Sequence, residues 1–208
     1  MSITLHKGDL PDDFDVREAR DGAIAVDSET LGLNPHRDAL CVVQISLGHG
    51  DAHLVQLDRA TYDAPKLKAV LADPSVLKLF HFARFDVAMF EKWLGVTTTP
   101  IYCTKIASKL TRTYTDRHGL KDLLKESVGV DVSKQQQSSD WGAETLSNAQ
   151  SAYAASDVLH LHDAKKWLDE RLAREGREDI ARKCFEFLPY RAQLDLMGWD
   201  QVDIFAHS

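Results

Sequence analysis

Two carboxylates, Asp27 and Glu29, close the apolar run Ala23-Ile24-Ala25-Val26. Strand side chains alternate with period two, so both project from one face of a strand whose other residues demand burial. An ionised carboxylate held away from water is costly unless a cation compensates it, and a divalent metal is the simplest compensation. On spacing alone the pair also fits a helix cap or a salt-bridged loop, so the reading depends on acids further along the chain. One stands in His81-Phe82-Ala83-Arg84-Phe85-Asp86, after the apolar run Val76–Phe80 and at the start of a stretch where Phe85, Ala88, Met89 and Trp93 recur at helical spacing. Asp86 therefore falls in a helix's first turn, where negative charge is favoured by the helix N-terminus with or without a further task.

The third acidic position is more selective. A long helix is expected over Asn148–Arg171, and Tyr153, Asp157, Leu161, Ala164, Leu168 and Leu172 share one face of it. Asp157 interrupts that apolar stripe, and no Lys or Arg stands within one turn of it. Its partner is then a distant part of the fold or a metal ion.

The order Asp-x-Glu, Asp, Tyr-x-x-x-Asp resembles the three motifs of the DEDD exonucleases in their tyrosine-bearing branch, which contains ribonuclease D. Ala25-Val26-Asp27-Ser28-Glu29-Thr30 matches the first motif, His81 to Asp86 the second, and Tyr153-Ala154-Ala155-Ser156-Asp157-Val158 the third. Ribonuclease D-like elements lie between them: Val43-Gln44-Ile45, and Ser139-Asp140-Trp141 after Lys134 and the Gln135–Gln137 run. The likeness extends from Ala23 to about Trp167. Ribonuclease D carries helical HRDC domains after its nuclease domain, whereas here a helix near Glu178–Met197 is expected to end a single exonuclease domain, residues 1–208. That arrangement is most similar to the short alphaproteobacterial nano-RNase C proteins.

The resemblance implies an α/β fold, a ribonuclease H-like mixed sheet flanked by helices. It implies a 3'-5' exoribonuclease that hydrolyses short oligoribonucleotides, dinucleotides especially, to 5'-mononucleotides, and a homo-oligomeric ring, an octamer. Asp27, Glu29, Asp86 and Asp157 are the implied ligands of two Mg²⁺ or Mn²⁺ ions, hard cations that suit oxygen donors. Tyr153, with an ordinary pKa near 10, is expected to orient the attacking water rather than deprotonate it. Thr30, Leu31, His81, Arg84, Lys134, Gln135, Gln137 and Trp141 are candidate substrate contacts. For Leu31 and His81 a packing role is about as good an account, and a tryptophan after a loop is more often a core anchor. A general ribonuclease D-like trimming enzyme, acting on RNA or DNA 3' ends, and a catalytically silent nucleic-acid-binding module are the competing readings. The DxDxT opening of a haloacid dehalogenase-type phosphatase fits worse, because Glu29 replaces its second Asp.

The elements that must carry these residues are visible in the alternation of apolar runs. Strands are expected at Ile3–His6, Ala23–Glu29, Leu40–Leu47, Ala52–Leu57 and Val76–His81, with Gly48-His49-Gly50 turning the third into the fourth. Helices are expected at Ala64–Leu71, Thr104–Leu110, Leu120–Ser127, Asn148–Arg171 and Glu178–Met197. With 208 residues and 44% hydrophobic content, the chain can bury a core without staples. Cys41, Cys103 and Cys184 are too scattered for a zinc site, Cys41 reads as a buried thiol, and no apolar run reaches membrane-spanning length. A cytoplasmic location is expected. A net charge of −7 argues against a protein that grips long nucleic acid through many phosphates. Arg112, Arg117 and His118, and Lys165 with Lys166, are the nearest approach to basic patches. Phe185, Phe187, Leu188, Trp199 and Phe205 are candidates for a subunit interface or for closing the monomer core.

Overall fold

A computed structural model describes residues 2–133 and 135–207. Six strands, β1 (Ser2–Lys7), β2 (Ala23–Thr30), β3 (Leu40–Ser46), β4 (Asp51–Gln56), β5 (Leu77–Phe80) and β6 (Ile101–Cys103), form one sheet in the order β1-β4-β3-β2-β5-β6. The β2-β3-β4 meander is antiparallel, while β1, β5 and β6 join in parallel, so the expected mixed sheet is present. Gly48 and Gly50, at φ 91° and 81°, turn β3 into β4. The Asp51 carboxylate fixes that turn by accepting the Leu47 and His49 N–H groups at 3.0 Å each. Strand β6 was not expected from sequence, since three residues after Pro100 are too few to display an alternation.

Among the described residues seven α-helices flank the sheet: α1 (Pro65–Ala72), α2 (Ala83–Met89), α3 (Thr104–Thr111), α4 (Leu120–Ser127), α5 (Asn148–Ser156), α6 (Leu161–Glu175) and α7 (Glu178–Leu194). Wider π-type turns prolong α2 through Phe90–Leu94 and α7 through Asp195–Trp199. The single helix expected over Asn148–Arg171 is in fact two. The Ser156 hydroxyl donates to the Tyr153 carbonyl at 2.7 Å, taking the acceptor that the next helical N–H would use. The Asp157 N–H turns to Ala155 O instead, and helical geometry resumes only after His160. A hydrophobic stripe can run through such a break because both helices still face the interior.

Most of the sheet packs into one large apolar core with α1, α2, α3, α6 and α7, and Phe185 and Leu188 belong to it. A smaller cluster of Cys41, Val42, Leu54, Trp141, Leu146 and Ala154 seats α5, with Tyr153 and Ile3 against it. Directly opposed residues in a sheet share a face. The register therefore extends the Asp27 row through Gln44 and Leu54 to Leu5, and the Glu29 row through Val42 and Gln56 to Lys7. The acids thus open a face whose far end is covered by α5.

Candidate active site

The three sequence-distant acidic motifs converge on one cleft at the end of β2. Oxygen atoms of Asp27, Glu29 and Asp157 lie within 4.8 Å of one another, and all three residues are partly reachable from solvent. Alternation along β2 gives the first two, and the break after α5 presents the third. Ser28, between the acids, points the other way and donates to Asp86 Oδ1 of α2 at 2.6 Å, which ties the fourth carboxyl to the same strand. Asp86 is 3% exposed.

The electrostatics of the cluster follow from burial and crowding. Burial first, then the charges of Asp86, Asp157 and Glu29, hold the Asp27 carboxyl well above the usual carboxylate range. Burial, with Asp157 and Asp86 beside it, pushes Glu29 up to about 9. Burial raises Asp86 to about 7 against the pull of its Ser28 hydrogen bond. It raises Asp157 to about 7 against the pull of the Tyr153 hydroxyl. Four carboxyls that resist ionising together form a site that a multivalent cation would relieve. Gln44 supports that fit: its Nε2 approaches Glu29 Oε1 at 3.4 Å, while its own buried Oε1 has no hydrogen-bond partner among the described residues. Tyr153 is pushed upward by burial and by Asp157, Glu29 and Asp27, so its hydroxyl stays protonated and can only donate or accept a hydrogen bond.

The acids form the floor of a cleft of about 710 Å³. Thr30, Leu31, His81 and Gln137 line it, as the sequence reading places them, and the Thr30 hydroxyl is engaged with Gly32 O at 2.6 Å. His81 Nδ1 meets the Thr104 hydroxyl at 2.9 Å. Phe82, Lys105 and Lys121 also line the cleft. Phe82 has φ 77°, rare for an aromatic residue, is 44% exposed, and carries the Lys105 ammonium 4.2 Å over its ring. Neither residue has a signal in sequence: a left-handed phenylalanine looks like any helix-start aromatic.

Other candidates lie elsewhere. Arg84 points away from the cleft and makes a two-pronged pair with Asp195 at 2.6 and 2.7 Å, adding Asp200 O at 2.7 Å. Trp141 is 2% exposed, and its ring packs on Tyr153 at 6.0 Å, so it is a core anchor. Gln135 lies along an adjoining groove with Val130 and His160 that shares Val132, Ser133 and Tyr153 with the cleft, and Lys134 falls outside the described residues. Arg112 is buried against Glu126 at 2.6 Å, and Lys165 pairs with Asp169 at 2.6 Å, so neither heads a free basic patch. Cys41 is buried, with its thiol pushed up to about 11. Among the described residues no helix is long and apolar enough to cross a membrane.

Comparison with known proteins agrees with this geometry. Residues 9–173 match the family model described as 3'-5' exonuclease. Ribonuclease D of Acidiphilium cryptum is 34% identical over 163 residues, 78% of this chain and 41% of that protein. The chain thus spans about four tenths of the length of such curated relatives. The structure of Brucella melitensis NrnC with bound Mg²⁺ is similar over 100% of both chains, at 54% identity and a TM-score of 0.93. NrnC of the same organism bound to pGG matches at 55% identity over 100% of both chains, with a TM-score of 0.94. With its acidic motifs in order, its mixed sheet and these relatives, the chain belongs to the 3'-5' exonucleases, in the ribonuclease D-like family, and is similar to NrnC.

Proposed function

We propose that this exonuclease converts very short single-stranded RNA, dinucleotides above all, to 5'-mononucleotides, using Mg²⁺ or Mn²⁺ held by Asp27, Glu29, Asp86 and Asp157. The observation that carries the reading is the crowding of four carboxyls, each held above the usual carboxylate range, in a cleft of about 710 Å³. That volume is of small-ligand size. The net charge of −7 favours a substrate with few phosphates. Mg²⁺ in one NrnC structure and pGG in another support the same assignment by likeness.

Two divalent ions would supply Lewis acidity for an in-line displacement at phosphorus. The chain's own groups do the rest. The acids are the oxygen donors; Ser28 holds Asp86 in place by its hydrogen bond. Tyr153, kept protonated, orients the attacking water against the phosphate and leans on Asp157. Leu31 separates the two bases, and His81, Thr30 and Gln137 meet sugar or phosphate. The bond broken joins phosphorus to the 3' oxygen of the preceding nucleotide, and water supplies the new oxygen of the released 5'-monophosphate. We read residues 1–208 as one catalytic domain and assign the exposed apolar residues Met197, Trp199, Val202, Ile204 and Phe205 to self-association.

Competition between a 5'-phosphorylated dinucleotide and a single strand of about 20 nucleotides tests substrate length, because a cleft with few phosphate contacts gains little from a longer chain. The dinucleotide should be consumed at least as efficiently, with a shallow salt dependence. A strong preference for the long strand with a steep salt slope would return the protein to general ribonuclease D-like trimming, a reading that the 34% identity to ribonuclease D favours.

A further inference from the structure

The segment Asp140–Glu144, which leads into α5, is irregular backbone held by side chains at nearly every residue. Gln150 Nε2 donates to Asp140 O at 3.0 Å, Arg59 Nη2 to Gly142 O at 2.8 Å, Gln56 Nε2 to Ala143 O at 2.8 Å and Lys7 Nζ to Glu144 O at 2.6 Å. Inside it the Gly142 N–H donates to Asp140 Oδ1 at 3.0 Å. Gln56 and Lys7 stand in the row that begins at Glu29, so this strap is stitched to the face that carries the acids.

Its two central residues touch two different parts of the site. Trp141 packs under Tyr153 with ring centroids 6.0 Å apart. Gly142 backs Leu31: a methyl group built on it would lie 2.8 Å from Leu31 Cδ2 and 3.0 Å from Arg59 Nη1. No positive φ is involved, and a methyl group here would meet only the far ends of side chains, so it would displace Leu31 rather than the backbone. Leu31 is 48% exposed, and without this wall its side chain would be free to change rotamer. A displacement on the order of 1 Å at a substrate-orienting contact costs up to about 100-fold in rate.

We propose that Trp141 and Gly142 are positioning residues that together set the reach of Leu31 into the cleft and the tilt of Tyr153. The strap is then the gauge that matches the cleft to a substrate of two bases. This inference rests on the reading of Leu31 as the residue between the bases. A double-mutant cycle separates the two claims. Gly142→Ala should lower kcat/KM on a 5'-phosphorylated dinucleotide by about 10-fold, mostly through KM, and by less than about 2-fold in a Leu31→Ala background, because contacting residues couple. Arg59→Met, which removes the exposed tether to Gly142 O, should raise KM about 3-fold and lose that effect in the same background. The Mg²⁺-induced rise in melting temperature should be unchanged in both, which shows an intact metal site. Should Gly142→Ala fail to fold, the Arg59→Met cycle stands alone. Equal effects in the two backgrounds would overturn the strap and leave Leu31's role intact. A silent Leu31→Ala would overturn both.

Discussion

Replacing Asp157 by asparagine should make the metal-free protein more stable while removing its response to metal. Asp157 is held at about 7 against an ordinary 3.8, chiefly by burial. Ionising it in the folded chain therefore costs on the order of 4 kcal/mol more than in the unfolded chain. A folded pKa above the unfolded one destabilises as pH rises. The penalty is absent below about pH 4, where both states are protonated, grows up to about pH 7, and is complete above that. Asparagine has no such penalty but serves Tyr153 less well as an acceptor, a loss of about 1 kcal/mol. The net gain at pH 8 is then about 2–4 kcal/mol, roughly 5–15 °C in melting temperature for a chain of this length. Calorimetric melts in a chelator at acid and alkaline pH, with and without saturating Mg²⁺, measure each part. Wild type should gain about 3 kcal/mol from Mg²⁺ at a hundred times its Kd, and Asp157→Asn far less. An asparagine variant that melts below wild type in chelator at pH 8 would refute the claim that burying the ionised Asp157 carboxyl destabilises the metal-free fold.

Other outcomes follow from single contacts. Asp27→Ala should abolish metal-dependent hydrolysis with the fold retained, as circular dichroism and turnover together would show, because it removes buried negative charge along with a ligand. Tyr153→Phe should lower kcat by about 10- to 100-fold at nearly constant KM; the opposite split would make Tyr153 a substrate-binding group. Ser28→Ala deletes the 2.6 Å bond that favours ionised Asp86, and Mg²⁺ affinity by titration calorimetry should fall about 10-fold. Arg84→Met should cost about 1–3 kcal/mol in denaturant melts yet leave kcat/KM within about 3-fold, since its guanidinium serves Asp195 rather than the cleft.

Asp86 and Tyr153 gained weight only from the order of the three motifs, whereas Asp27, Glu29 and Asp157 stood out because each breaks an apolar pattern that local periodicity makes explicit. The meander was legible for the same reason, with two glycines marking its turn. What escaped depends on through-space partners. Arg84 sits beside an acidic motif in sequence, but its carboxylate, Asp195, is 111 residues away. Trp141 is a candidate stacking platform in the sequence although a tryptophan after a loop is more often an anchor, and the small cluster around Leu54 and Ala154 encloses it as one. The break after Ser156 has no proline or glycine to announce it; it coincides with a hydroxyl that bonds a backbone carbonyl. Ser28 has no sequence signal of its own, and only its hydrogen bond in the folded chain joins it to Asp86.

The division of the interior into a large core and a small one bears on how activity is lost on heating. Asp27, Glu29 and Asp86 ride on elements anchored in the large core, whereas Tyr153 abuts the small cluster that seats α5. The working site therefore lies between two apolar clusters of unequal size, with Ala155 tying α5 to the larger one, and regions with fewer buried contacts open at lower free energy than the whole molecule. Thermal inactivation should precede global unfolding and reverse on cooling, with amide exchange rising first in α5. Conservative truncations in the small cluster, such as Val42 or Leu54 to alanine, should lower the temperature at which activity fades more than the temperature at which the sheet melts.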